Sequence, residues 1–164
     1  MLGQIENYTA FTDEVIKTVE YSNVNKNAWL WSENKVKPDG KNFMLESIQG
    51  YVVQLYNTNN DDLLENMKQI SESVLKYYPD NVTSLSDLSI VYMIRKEYDK
   101  AIQVLQKAEG LAPADAIVLN NIAEAYKRKG DKANAIIYYE KVLKYGDEQA
   151  KQSAKSAIEQ IQKK

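Results

Sequence analysis

The chain has 164 residues, 44% hydrophobic and 27% charged, the composition of a soluble globular protein large enough for one core. It contains neither cysteine nor histidine, which excludes disulfides, thiol nucleophiles, thiolate zinc sites and Ser-His-Asp triads. A net charge of −2 and a pI near 5.3 argue against a nucleic-acid partner, because neutralising phosphates takes a basic surface.

The charge is uneven: residues 1–81 carry 7 basic and 12 acidic side chains, and residues 82–164 carry 14 and 11. No apolar run is long enough to span a bilayer, and residues 1–10 lack both a basic start and an apolar stretch. A soluble protein is expected. Cytoplasm is the favoured location, with the periplasm the alternative if the chain is a fragment.

In chain order, Phe11, Val15, Ile16 and Val19 recur at helical spacing, with Thr9 or Thr12 as a cap. A polar break over 21–27 leads to Trp29 and Trp31, expected to cover an open end of the helical array. Lys37-Pro38-Asp39-Gly40 reads as a turn. Residues 42–56 read as a helix through Leu45, Ile48, Val52 and Leu55. Residues 62–78 read as another through Leu63, Met67, Ile70 and Val74.

From Pro79 onward one pattern occurs twice. Leu85, Leu88, Ser89, Tyr92, Ala101, Leu105, Ala108 and Pro113 are followed, each thirty-four residues later, by Leu119, Ile122, Ala123, Tyr126, Ala135, Tyr139, Val142 and Asp147. Each copy reads as two antiparallel helices, with small residues allowing close approach. The turns between them are Lys96-Glu97-Tyr98-Asp99 and Lys129-Gly130-Asp131, where Gly130 suits a left-handed position. Asp80 or Asn81, and Asp115, read as N-caps. After the second copy, Ala150, Ala154, Ala157 and Ile161 form a narrow stripe, as a terminal helix with a polar outer face needs.

The period and these residues resemble the tetratricopeptide repeat (TPR) family. Leu85 and Leu119 stand where that family often has Trp, and Asp147 replaces the closing proline. The resemblance implies an all-α fold, a TPR-like right-handed α–α superhelix of helical hairpins. Residues 1–41 would be an N-terminal extension or cap and 42–164 the repeat domain. That domain divides into a degenerate pair over 42–81, repeats over 82–115 and 116–149, and a terminal solvating helix over 150–164.

The resemblance also implies where a partner would bind. First helices of successive pairs would line a concave groove that holds an extended peptide. One offers Thr83, Ser86, Asp87, Ile90, Met93 and Ile94. The next offers Ile117, Asn120, Asn121, Glu124, Lys127 and Arg128. A subset of the family clamps a chaperone's C-terminal carboxylate. Here Asn121, Lys151 and Lys155 match its last three places, but Ser86 and Ile90 occupy the first two, so the clamp is incomplete. A looser preference for an acidic segment is the expectation drawn from those lysines.

Two functional readings follow. One is an adaptor or scaffold that binds a protein or peptide on its concave face, as a monomer or weak homodimer. The other is a C-terminal assembly domain of a larger polypeptide, its groove occupied internally. No enzyme, cofactor or metal site is expected. Asp61-Asp62 and Asp147-Glu148 are explained by helix capping, and Asn57–Asp62 lacks the glycine and distal glutamate of a calcium loop.

Overall fold

The computed structural model describes residues 7–24, 40–58 and 60–163. Within them lie eight α-helices, one 3-10 turn and no strand. None of these helices is long and apolar enough to cross a membrane. Trp29, Trp31 and the turn over 37–39 lie outside the described residues. The contacts divide the chain into two units, residues 1–84 and 85–164.

The first unit contains α1 (Tyr8–Val24), α2 (Gly40–Asn57), a 3-10 turn (Asp61–Leu63) and α3 (Leu64–Tyr77). Both α1 and α2 pack on α3. From α2 the core takes Met44, Ile48, Tyr51, Val52 and Leu55, and from α3 Leu64, Met67, Ile70 and Val74. Burying one such side chain contributes about 1.5–3 kcal/mol.

α1 differs from its expected form. Asn7, rather than either threonine, caps it: Asn7 Oδ1 accepts from the Ala10 N–H at 3.0 Å. Thr12 is fully buried on the packed face with Val19 and Ser22, while Phe11 is partly exposed. These buried hydroxyls find partners on α3 and just beyond it. Asn66 Nδ2 donates to Thr12 Oγ1 at 2.9 Å, and the Ser22 and Tyr78 hydroxyls share a hydrogen bond of 2.8 Å. A polar residue can therefore sit on a packing stripe when it is fully paired.

The boundary between the units falls inside α4 (Val82–Ile94). α5 (Tyr98–Leu111), α6 (Ala116–Lys129), α7 (Lys132–Tyr145) and α8 (Glu148–Gln162) follow; α5 packs on α6, α6 on α7 and α7 on α8. α3, α5 and α7 are each 14 residues long and begin at positions 64, 98 and 132, one period apart. Caps define the other helices. Asn81 Oδ1 accepts from Ser84 N–H at 2.8 Å, and Asp115 from Ile117 N–H at 2.8 Å. Of the two cap readings for α4, Asn81 is the one realised.

Small residues let the helices close up: Ser89, Ala101, Ala123 and Ala135 are all fully buried. Leu119, Ala123, Ala135, Tyr139, Val142, Ala154 and Ile161 form one cluster joining α6, α7 and α8.

α4 is covered on every side: its residues 84–89, together with Val91 and Met93, are all buried, the polar Ser84, Ser86, Asp87 and Ser89 among them. Ser89 Oγ donates to Ser86 O at 2.6 Å, as a buried hydroxyl requires.

A polar cleft formed by α6, α7 and α8

α8 does not begin where the thirty-four-residue phase puts it. Asp147 caps it, its Oδ1 accepting from Ala150 N–H at 2.8 Å. The corresponding cap of α6 is Asp115, so α8 stands two residues early. The connection is short because Gly146 replaces a longer turn. A Cβ there would meet Val142 O at 2.8 Å and the Ala150 Cβ at 2.9 Å.

The shift decides which α8 residues face α6. The equivalents of Asn120, Asn121 and Glu124 become Gln152, Ser153 and Ser156. These line a cleft of about 540 Å³ with Asn120, Glu124, Lys127, Tyr139, Ala157 and Gln160. Amides and hydroxyls dominate the lining, and each can donate or accept without carrying charge.

Glu124 is the electrostatic centre. Its Oε2 takes the Tyr139 hydroxyl at 2.9 Å and Lys127 Nζ at 2.5 Å, and its Oε1 takes Arg128 Nε at 2.9 Å. Burial pushes the Glu124 carboxyl up. The hydrogen bonds from Lys127, Arg128 and Tyr139, with the charge of Lys127, outweigh that and hold it below the ordinary value of 4.5. The Tyr139 hydroxyl is raised, first by burial and then by the carboxylate facing it.

Of the residues singled out in the sequence, the structure brings Asn120, Glu124 and Lys127 together in the cleft. Asn121 is half-buried outside the lining, Arg128 is exposed and paired with Glu124, and Ile117 is 70% exposed at the start of α6. Ile90 and Ile94 are half-buried. Ser86, Asp87 and Met93 are buried, contrary to their expected place on an open groove, because α4 is covered on every side over residues 84–89. Lys151 pairs with Glu148 at 3.4 Å and Lys155 is exposed; neither lines the cleft. The two-residue shift turns both away from the positions that an unbroken period assigns. It also explains why Gln152, Ser153, Ser156 and Gln160 were missed. The signal was Asp147, which reads as an N-cap two places before the phase expects one.

The first unit has a different hollow, of about 580 Å³ and mostly apolar, between α1 and α2. Phe11 and Phe43 lie partly exposed on it. Among the described residues no group of His, Cys, Asp or Glu is arranged to hold a metal ion.

Residues 90–130 match the family described as "TPR repeat", and residues 116–145 the family described as "Tetratricopeptide repeat". Residues 90–145 carry the tetratricopeptide-repeat pattern. Solved structures agree on the fold. An O-GlcNAc transferase from Thermobaculum terrenum superposes with a TM-score of 0.61 at 17% identity, over 77% of this chain and 23% of the transferase. The chain thus spans less than a quarter of that protein. A MamA point mutant gives 0.54 at 18% identity over 86% of this chain and 98% of its own length. A MamA RS-1 double mutant gives 0.52 at 15% over 95% and 93%. No curated protein sequence matches the chain. The tetratricopeptide match supports a helical-repeat module of the protein-interaction type.

Proposed function

We propose that this TPR module is an adaptor that holds an extended segment of a partner protein in the cleft between α6 and α8. The observation that carries the reading is the lining itself. Asn120, Gln152, Ser153, Ser156 and Gln160 gather on the equivalent faces of two successive first helices, with Tyr139 between them. An extended backbone offers one N–H and one C=O per residue, and side chains of this kind can pair with both. Function would be surface presentation on rigid helices, with no covalent step.

The test is a peptide-display selection on the whole chain, followed by binding of the recovered peptides to Ser156→Arg. Arginine would fill the cleft from the exposed side of α8, and circular dichroism would verify that the helices remain. Recovered peptides should lose at least about tenfold in affinity. Peptides that bind wild type and variant equally would remove the cleft from the account.

A further inference from the structure

We infer that Glu124 sets the specificity of this cleft, turning away acidic segments and admitting uncharged polar ones; the inference rests on the cleft reading above. The lining carries two charged side chains, Glu124 and Lys127, and they are paired with each other at 2.5 Å. Arg128, just outside, gives its Nε–H to the same carboxylate at 2.9 Å. The Tyr139 hydroxyl, itself almost fully buried, gives the third bond. Glu124 therefore takes one of the three N–H groups of Lys127 and balances its charge before any ligand arrives.

An incoming carboxylate that used the remaining N–H groups of Lys127 would lie beside the Glu124 carboxylate, a like charge. Like charges brought together at an interface cost heavily. An uncharged polar segment meets no such opposition and finds five amides and hydroxyls in the lining. The charge is confined to one level of the cleft. The equivalent of Glu124 is Ile90 in α4 and Ser156 in α8. The two lysines that would favour an acidic ligand, Lys151 and Lys155, are not in the lining. This reverses the acidic preference expected from the sequence.

The experiment is peptide display from one random library on wild type, Glu124→Gln and Glu140→Gln. Glutamine keeps the size of Glu124 and an acceptor for Tyr139 while removing the charge. Glu140 is exposed on α7 outside the cleft, so its variant controls for net charge. Asp and Glu should be about tenfold rarer among cleft-dependent peptides from wild type and Glu140→Gln than among those from Glu124→Gln. Equal acidic content in the wild-type and Glu124→Gln pools, or an equal rise with Glu140→Gln, overturns the role of Glu124. Peptides that Ser156→Arg does not affect would instead overturn the cleft reading, and this inference with it.

Discussion

Lys96 and Gly130 stand one period apart and share a left-handed backbone, with φ of 61° and 91°. The hydrogen bonds around them repeat as well. Glu97 N–H reaches Tyr92 O at 2.8 Å, and Asp131 N–H reaches Tyr126 O at 2.9 Å. Lys96 N–H reaches Met93 O and Gly130 N–H reaches Lys127 O, both at 3.1 Å. Each is the same helix-ending motif, with the residue after the helix held left-handed so that orphan carbonyls are paired.

Glycine suits that position and lysine does not, because a Cβ crowds the carbonyl there. Lys96→Gly should therefore stabilise the protein by about 1 kcal/mol. Gly130→Ala should destabilise it by a similar amount, with no clash to add, since the space around Gly130 is open. Urea denaturation of the two variants checks both signs.

Gly146 and Gly110 separate two other reasons for glycine. A Cβ at Gly146 would lie 2.8 Å from the Val142 carbonyl oxygen, so Gly146→Ala should move the α7–α8 turn and cost about 1–3 kcal/mol. At Gly110, inside α5, nothing lies within 4 Å. There Ala should stabilise by about 0.5–1 kcal/mol through helix propensity. Thermal unfolding of the pair distinguishes a steric requirement from none.

Buried hydroxyls in the first unit should behave in opposite ways. Ser71, in the register of Leu105 and Tyr139, is buried with its Oγ unpaired. Ser71→Ala should raise stability by about 1 kcal/mol. Thr12 is paired with Asn66 at 2.9 Å. Thr12→Val keeps the shape but leaves the buried Asn66 amide only its long 3.5 Å bond to Tyr8 O, at a cost of about 1–3 kcal/mol. Denaturant midpoints of the two variants should move in opposite directions.

Glu124 links stability to pH. Its carboxyl is held below its ordinary value of 4.5 in the folded protein. A depressed carboxyl contributes stability that is present above the unfolded value and is lost as pH falls through the folded one. Wild type should exceed Glu124→Gln by about 1 kcal/mol at pH 7. The gap should narrow below pH 4.5, and unfolding at a series of pH values measures it.

The sequence made the second unit legible because phase and local chemistry agree there. Asp115 and Gly130 are a cap and a helix stop by residue type alone, and α6 and α7 begin where those residues put them; α5 starts at Tyr98, inside the expected turn over 96–99. Three features escaped for physical reasons. Thr12 reads as a cap because threonine is one of the residues favoured there, and only its partner Asn66, distant in sequence, reveals it as a packed residue. The family resemblance implies a groove face for Ser86 and Met93, and nothing in the sequence of α4 shows that its residues 84–89 are covered all round. Lys151 and Lys155 were placed by counting through a connection that Gly146 shortens by two residues. A repeat carries its register only as far as its loops keep their length.

The most direct test of the cleft is a nuclear magnetic resonance titration of the whole 18.8 kDa chain with a display-selected peptide. The account predicts shifts at the side-chain amides of Asn120, Gln152 and Gln160 and at the backbone amides of Ser153 and Ser156. Shifts confined to α1 and α2, or to exposed Gln103 and Gln106 of α5, with those five unmoved, would contradict it.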